Sequence, residues 1–296
     1  MKMLWCLSVP LLIGSLVGCD NTPTAEQQKQ AQQLVNDTLN NMVFVEGGTF
    51  LMGDFGGKDG KSNFVYSISK DNKFTHNVTL DSFSISKSKV SWGEYLQWLD
   101  IMGKPLPDNY KKLKEQIDYI SMKKFTNDNY PASVNWQDAK DYCQWIGLQS
   151  GLPVDLPTEA QWEYAARSRG QFLNYSSDNG KFGDFIDPSS EQYVPLNKRK
   201  PNPLGLYDMI GNGWDWTNDW YDENYYSVSP EKNPQGPQSG TTKVTRGSAG
   251  TNFMDNQNID RYAMPPVLTE IMSTGRGFRC AVQSPTPIST TENYSQ

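Results

Sequence analysis

Two segments of the chain alternate apolar and polar residues, which is the pattern of a half-buried β-strand. Between Met42 and Gly53 the alternation is interrupted by Gly47 and Gly48, so we predict two strands joined as a hairpin. From Asn77 to Ile85 apolar residues again recur with a period of two, and we predict a further strand there. His76 stands at the head of that strand, where a lone histidine is expected to be hydrogen-bonded or exposed rather than catalytic.

Two helices are predicted from capping boxes, in which an N-cap hydroxyl and a side chain three residues later bond each other's backbone amide. Ser91 and Glu94 have this spacing, and so do Thr158 and Gln161. Apolar residues follow both pairs at helical intervals. We expect Gly170 to end the later of the two helices.

A third helix is predicted after Asn135, a residue type that favours the N-cap position. Its apolar residues recur at helical spacing and form one stripe that should face the core. The stripe consists of Ala139, Tyr142, Cys143 and Ile146. We expect Gly147 to terminate this helix.

The first 18 residues predict a secretory signal. Lys2 precedes an apolar run from Leu4 to Val17, which is too short for a permanent membrane-spanning helix. The run ends in Gly18 and Cys19, similar to the lipobox of bacterial lipoproteins, so we expect residues 1–18 to be cleaved and Cys19 to be lipidated. Asp20 next to it resembles an inner-membrane retention signal. We therefore predict a protein anchored by lipid on the periplasmic side of the envelope, at the inner membrane.

Residues 19–41 comprise the lipidated Cys19 and a segment that is rich in Gln, Asn, Thr and Ala. They contain few apolar residues and cannot cover one face of a core, so we predict a polar spacer that is helical in part. The folded domain is then expected to start near Met42.

The composition narrows the classes of function. A chain of 296 residues with no second shift in composition predicts one large domain. The formal net charge of −6 excludes a nucleic-acid partner on electrostatic grounds. The chain contains one histidine, whereas zinc and non-haem iron sites built on histidine need two or three.

Several strings of residues resemble the formylglycine-generating enzyme family, also called the sulfatase-modifying factor family. The two longest are 156–167, which reads LPTEAQWEYAAR, and 205–216, which reads GLYDMIGNGWDW. VEGGTF at 45–50 and GFRC at 277–280 occur in the family's order. The resemblance covers residues 42–284 and leaves 285–296 as a flexible tail. It implies an α+β fold: a compact, C-type-lectin-like domain with low regular secondary structure and long loops.

The resemblance also identifies where catalytic metal ligands are expected. In the copper-dependent members, two cysteines follow an Arg-Gly-Gly-Ser segment, and Asn252 and Gln257 stand at the corresponding positions here. Neither residue has a thiolate to bind copper(I). The iron-dependent members use three histidines, and this chain has only His76. We therefore expect neither copper nor iron as a cofactor.

Two cysteines remain after the signal and the lipidation site are removed, and both match positions that form a structural disulfide in the family. They are Cys143 and Cys280. An oxidising envelope would favour the same bond here.

A calcium site is implied at the second long string. Asp208, Gly211, Gly213 and Asp215 match the family's calcium ligands, with Asp in place of the usual Asn and Glu. Calcium prefers several oxygen ligands at flexible geometry, which carboxylates and the carbonyls of a glycine-rich turn can supply. The alternative is that the two acids stabilise the turn without a metal.

The aromatic and basic residues near this string have two interpretations. Trp214, Trp216 and Trp220 either stack on a sugar or pack the irregular interior, and packing is the simpler explanation. Arginines in the same region either line the family's substrate groove or form buried salt bridges. They are Arg246, Arg261 and Arg279.

These observations lead to the hypothesis of a non-catalytic, envelope-anchored protein that binds another periplasmic protein, as an immunity factor or as an accessory subunit. One alternative is a divergent metal-dependent oxidase or protein-modifying enzyme of the same family. The other is a calcium-dependent carbohydrate-binding module. Loops on a rigid scaffold usually carry recognition, so the insertions at 55–73 and 104–129 are the expected binding surface.

Overall fold

The computed structural model describes residues 24–58, 64–115, 124–180, 193–248, 257–268 and 275–288. The predicted signal sequence, Cys19 and positions 289–296 of the predicted tail lie outside these ranges. None of the helices in the described ranges is both long enough and apolar enough to cross a membrane.

Helices occupy mainly the first half of the chain. They are α1 (Ala25–Asn40), α2 (Trp92–Ile101), α3 (Asp108–Glu115), α4 (Trp136–Ser150) and α5 (Glu159–Ala166), with 3-10 turns at Lys124–Thr126 and Tyr225–Ser227.

The strands are short and spread over the chain. They are β1 (Met42–Val45), β2 (Gly48–Met52), β3 (His76–Leu80), β4 (Phe83–Ser86), β5 (Val154–Asp155), β6 (Gly213–Trp220), β7 (Lys243–Ser248), β8 (Arg261–Met264), β9 (Arg276–Gly277) and β10 (Ala281–Val282). Helices and largely antiparallel strands connected by long irregular segments confirm the α+β class.

Three sheets organise these strands. One has the order β1-β4-β10-β5 with antiparallel pairs, a second pairs β2 with β3, and a third has the order β8-β7-β6-β9. In the third sheet only the β6–β9 pair is parallel. The last strands of the chain therefore pair with strands from its beginning and middle, which makes the fold depend on long-range contacts.

Two clusters of buried apolar side chains lie between the sheets and helices. The first is formed by α1, α2, α4 and the closing segment of the chain, and it surrounds Cys143 and Cys280. The second lies between α5 and strands β2, β3 and β4. Aromatic rings fill much of both clusters, which agrees with the expected packing role of these residues.

Both predicted capping boxes are present. Ser91 Oγ accepts from the Glu94 amide at 3.1 Å, and Thr158 Oγ1 accepts from the Gln161 amide at 3.2 Å. The reciprocal bonds to the N-cap amides are also formed. The later helix ends at Ala166, earlier than the predicted stop at Gly170.

The predicted end of the third helix at Gly147 is wrong. Helix α4 continues to Ser150, and Gly151 ends it with a left-handed φ of 70°. Gly147 lies inside the helix, where a Cβ atom would approach the Leu152 carbonyl oxygen to 2.9 Å. The glycine is needed there for close packing of the following segment rather than for termination.

The predicted hairpin between Met42 and Gly53 is also wrong. Strand β1 pairs with β4, and β2 pairs with β3, so the two strands belong to different sheets. The strand predicted from Asn77 to Ile85 is divided into β3 and β4. The backbone turns between them so that each half joins one of these sheets.

The predicted spacer differs from the structure as well. From Ala25 onward it forms helix α1, in which Leu34, Val35 and Leu39 are buried. The helix packs against α2 and α4 and contributes to the first core cluster. The folded domain therefore begins before Met42.

Candidate functional site

The turn with the predicted calcium ligands lies directly before β6. Its backbone is irregular, with left-handed φ values at Asp208 (53°), Gly211 (86°), Asn212 (58°) and Gly213 (91°). The buried Asn212 side chain holds the turn together: its Nδ2 donates to Asp208 Oδ2 at 3.2 Å, and its Oδ1 accepts from the Val194 amide at 3.1 Å. The sequence thus builds this turn from residue types that tolerate left-handed backbone.

Asp215 lies at the start of β6 with its side chain fully buried. Its Oδ1 lies 2.9 Å from Lys89 Nζ, and its Oδ2 accepts from Arg279 Nε and from Trp162 Nε1, both at 2.9 Å. Burial alone would raise the pKa of this carboxyl, but Arg279 and Lys89 hold it below its usual value. Asp215 is therefore an ionised group inside the protein, paired with two cations of the same chain.

Asp208 is the second carboxylate of the turn and is also buried. Its Oδ1 lies 3.6 Å from Arg199 Nη1. Burial raises the pKa of Asp208, because the more distant Arg199 and the amide of Asn212 offset the loss of hydration only in part.

Two cations of this cluster, Lys89 and Arg199, were missed in the sequence analysis. Lys89 is the one that contacts Asp215. Its side chain is fully buried, and burial lowers its pKa to about 8 against the opposing attraction of Asp215 and Asp208. The only signal in the sequence is a lysine just before Val90, in a segment that is otherwise buried. Nothing in the local pattern connects it with a turn more than a hundred residues later.

These residues do not fit a calcium ion. Lys89, Arg199 and Arg279 face only two carboxylates, so the cluster already has an excess of positive charge. A divalent cation would add two charges to a buried site and would compete with Lys89 for Asp215, whereas calcium needs anionic oxygen ligands. In the described part of the chain, no group of three or more His, Cys, Asp or Glu side chains is placed to hold a metal ion.

The calcium set named from the sequence therefore has a different structural role. Asp208, Gly211, Gly213 and Asp215 do lie together, but they form a turn closed by hydrogen bonds and ion pairs within the chain. This is the alternative in which the acids stabilise the turn without a metal.

The structure joins Cys143 to Cys280, the pair expected from the resemblance. Cys143 lies on α4 and Cys280 directly before β10, and both are fully buried. Neither sulfur is free to bind a metal or to attack a substrate.

The positions of the expected copper ligands have different chemistry. Asn252 lies outside the described residues. Gln257 is buried, and its Nε2 donates to the Tyr66 carbonyl oxygen at 2.8 Å. Its backbone amide donates to Asp260 Oδ2 at 3.2 Å. Gln257 therefore connects this part of the chain to the 55–73 insertion.

A buried ion network lies next to Gln257, centred on Glu159. Glu159 Oε1 accepts from Arg246 Nη1 at 2.8 Å and from Tyr226 Oη at 3.0 Å. Arg261 donates to both carboxylate oxygens, at 2.8 and 2.9 Å. Although burial would raise the pKa of Glu159, the two arginines hold it below its usual value. Arg246 also pairs with Glu163 at 2.9 Å.

Of the two interpretations of the arginines, the structure therefore favours buried salt bridges. Arg246 and Arg279 are completely buried, and Arg261 is nearly so. Each has a carboxylate partner within 2.9 Å. They stabilise the interior and do not line an open groove.

The aromatic residues of β6 are also mostly structural. Trp216 is fully buried and donates from Nε1 to the Val134 carbonyl oxygen at 2.8 Å. Trp214 and Trp220 are partly exposed, but Arg276 lies 3.7 Å from the ring centre of Trp214 and Lys243 lies 3.6 Å from that of Trp220. A cation of the chain therefore lies over one face of each of these two rings, which leaves less of the ring for stacking on a sugar.

Exposed apolar side chains are concentrated in the 55–73 insertion and just after it. We call this group the 64–74 surface; its members, with their exposed fractions, are Phe64 (78%), Val65 (63%), Ile68 (74%) and Phe74 (56%). A concentration of this kind on a protein surface marks an interaction site more often than single exposed residues do.

The 64–74 surface has an ordered base. The buried carboxylate of Asp54 accepts from the backbone amides of Gly56, Tyr66 and Ser67 at 3.0 to 3.1 Å, and it pairs with Lys73 at 2.7 Å. Although burial raises it, the pKa of Asp54 lies below its usual value because of these donors.

Two further bonds attach the same insertion to the rest of the domain. Asn72 Nδ2 donates to the Ile259 carbonyl oxygen at 3.0 Å, and Tyr221 Oη donates to Asp71 Oδ2 at 2.8 Å. These bonds attach the base of the 64–74 surface to the domain, while Phe64, Val65, Ile68 and Phe74 remain exposed.

The other predicted surface is described in part. Of the 104–129 insertion, residues 104–115 and 124–129 are described, and helix α3 buries Tyr110 and Leu113 against the domain. Among these described residues, Leu106 is the most exposed large apolar side chain, at 44%. The ring of His76 lies 4.9 Å from that of Tyr226, and its Nδ1 lies 3.4 Å from the Phe74 carbonyl oxygen.

Comparisons with known proteins identify the family and agree with the fold described above. The profile of the sulfatase-modifying factor enzyme 1-like domain matches residues 26–284. The serine/threonine-protein kinase pkn1 of Chlamydia caviae is 30% identical over 256 residues, which cover 81% of this chain and 37% of that protein. The formylglycine-generating enzyme of Streptomyces coelicolor is 32% identical over 176 residues, which cover 52% of each chain. This chain thus spans about two fifths to one half of the length of these relatives.

Among solved structures, PvdO from Pseudomonas aeruginosa has the same fold, with a TM-score of 0.63 and 23% identity over 81% of this chain and 93% of that one. The start of the matched region at residue 26 coincides with the beginning of α1 and supports its place in the folded domain. Because the profile spans nearly all of the described fold, the chain belongs to the sulfatase-modifying factor enzyme 1-like domain family.

Proposed function

We propose that this chain is a non-catalytic member of its family that binds another protein, and that it does so from a lipid-anchored position on the periplasmic face of the envelope. The 64–74 surface is the proposed contact site. The observation that carries the proposal is Gln257: at a position where the family places a copper-binding thiol, this chain has an amide that supports the 64–74 surface.

The distribution of cysteines supports the absence of copper chemistry. The chain contains four cysteines, of which Cys6 and Cys19 precede the domain. The other two are joined in a buried disulfide. Copper(I) prefers soft thiolate ligands, and the segment between Cys143 and Cys280 contains none.

The buried ion network around Glu159 supports the absence of a peptide-binding groove at these residues. An enzyme of this family that modifies a peptide needs polar groups available in a groove. Here Arg246 and Arg261 both donate to Glu159 below the surface, so these charged groups pair within the chain and are not presented in a groove.

The 64–74 surface has the properties of a protein contact. Two of its four residues are phenylalanines, and aromatic side chains are enriched at the centres of interfaces. The hydrogen bonds of Asp54 and Asn72 hold the described residues at the base of this surface, which lowers the entropic cost of binding a partner. An apolar partner surface would remove these side chains from water and gain about 25 cal/mol for each Å² buried.

The test is a co-purification from the native host. The full chain, with its own signal sequence and a C-terminal tag, is cross-linked in cells and purified in mild detergent. Three forms are compared: wild type, the double variant Phe64→Ser/Ile68→Ser, and the control Leu148→Ser. Leu148 is an exposed leucine of α4 outside the 64–74 surface, with an exposed fraction of 81%.

We expect one protein to co-purify in near-stoichiometric amount with wild type and with the control, and to fall at least tenfold with the double variant. These residues are highly exposed, so each substitution should change stability by about 0.5 kcal/mol or less, which a thermal melt checks. The proposal is wrong if the double variant retains the same partner, or if wild type retains no protein in comparable amount.

A further inference from the structure

The turn from Asp208 to Asp215 is held by cations that belong to the chain itself. Lys89 Nζ contacts Asp215 Oδ1, Arg279 Nε contacts Asp215 Oδ2, and Arg199 Nη1 faces Asp208 Oδ1. The contacts of Lys89 and Arg279 are the two shortest of these, with 2.9 Å between the nitrogen and the oxygen in each.

Lys89 differs from the two arginines in what it contributes. Arg279 also donates to backbone carbonyl oxygens, among them those of Ser86 at 3.1 Å and Tyr207 at 2.9 Å, so it has a wider structural role. For Lys89 the structure shows one charged contact, with Asp215, and complete burial of the side chain. A buried ammonium group with a single carboxylate partner acts as a compact point charge, as a metal ion would.

We infer that the ammonium group of Lys89 takes the place of a calcium ion at this turn and makes the domain independent of calcium. Lys89 reaches the turn from the segment between β4 and α2, and it supplies positive charge to Asp215 at the position where an external cation would be needed. This charge belongs to the chain itself and does not depend on the calcium concentration.

The inference does not depend on the proposed binding function, because it concerns how the scaffold is stabilised. It predicts that calcium has no specific site at this turn in the wild-type chain. It also predicts that the charge of Lys89, rather than the volume of its side chain, stabilises the turn.

The first test is a thermal melt of the full chain in 5 mM CaCl₂ and in 5 mM EGTA, where the probe is calcium alone. We expect the two midpoints to differ by less than about 1 °C, because no bound ligand shifts the folding equilibrium. A rise of several degrees in calcium that is lost in Asp215→Asn would show that calcium binds at this turn, and would overturn the inference.

The second test replaces the charge and keeps the size. Lys89→Met leaves the buried Asp215 without one of its two cations, and breaking a buried pair in this way should lower the midpoint by about 10 °C. The matched control is Lys87→Met, a half-buried lysine two residues earlier in the same segment, which should melt within about 2 °C of wild type.

A Lys89→Met chain that melts like the control would contradict the role given to Lys89. If Lys89→Met does not fold, the melt of the wild-type chain in calcium and in EGTA still decides whether calcium has a site at this turn.

Discussion

The buried network around Glu159 allows a quantitative prediction for one substitution. Glu159→Gln keeps the size of the side chain and removes its charge. Arg261 then loses its only carboxylate partner in the described structure, and Arg246 keeps Glu163 alone. Arg246 would share Glu163 with Arg167, which pairs with the same carboxylate at 2.8 Å, and Arg261 would have no carboxylate partner among the described residues.

The size of the expected loss in the free energy of unfolding follows from the burial of these groups. The side chains of Glu159 and Arg261 are 2% and 0% exposed, so water cannot replace the lost partner. Removing one member of a buried ion pair typically costs about 3–5 kcal/mol. We therefore expect the free energy of unfolding to fall by about 4 kcal/mol.

The assay is urea unfolding followed by tryptophan fluorescence, with Glu46→Gln as the matched control. Glu46 pairs with Arg169 at 2.9 Å, but its side chain is 67% exposed. An exposed pair contributes about 0–1 kcal/mol, so the control should unfold almost like wild type. If Glu159→Gln and Glu46→Gln lower the midpoint by the same small amount, the network does not stabilise the fold and the reasoning is refuted.

Three further predictions concern other parts of the scaffold. Burial and the nearby charge of Glu159 raise the pKa of Asp219 to about 7, so the folded state binds a proton more tightly than the unfolded state does. Between pH 5 and pH 7 the free energy of unfolding of wild type should therefore fall by about 2 kcal/mol relative to that of Asp219→Asn. The same pH dependence for both proteins in urea unfolding would contradict this. The Cys143–Cys280 bridge spans 137 residues, so Cys143→Ala/Cys280→Ala should lower the free energy of unfolding by about 5 kcal/mol in the same assay, and a loss below about 1 kcal/mol would argue against it. Gln257→Leu removes the bond to Tyr66, so amides of residues 64–74 should exchange hydrogen several-fold faster by mass spectrometry, and unchanged exchange would show that this bond does not order the insertion.

Local signals in the sequence were sufficient for the starts of two helices. A capping box is complete within four residues, so Ser91–Glu94 and Thr158–Gln161 identify helix starts without knowledge of the rest of the fold. The pairing of Cys143 with Cys280 came from the family resemblance rather than from the local pattern.

Strand pairing was not predictable from the same kind of signal. Alternation shows that a segment is half-buried, but it does not identify the partner strand. The glycines after β1 therefore indicated a hairpin, whereas β1 pairs with β4, about forty residues later. Helix α1 was missed as part of the domain because only a few apolar residues, Leu34, Val35 and Leu39 among them, attach it to the core.

The chemistry of the turn was missed for a related reason. The carboxylates and glycines were visible in one short string, but Lys89 reaches Asp215 across 126 positions of the chain. Metal ligands cannot be assigned from one segment alone, because a cationic side chain from another segment can pair with the same carboxylate.

The central claim is that this chain keeps the scaffold of its family without the family's copper chemistry. The most direct test is an anaerobic copper(I) titration against a competing chelator. It uses chain in which Cys6 and Cys19 are replaced by serine and the Cys143–Cys280 bridge is intact. We expect the chelator to retain all of the copper, because no thiolate is left to bind it. Tight transfer of one equivalent of copper to the protein would show that the chain has a copper site.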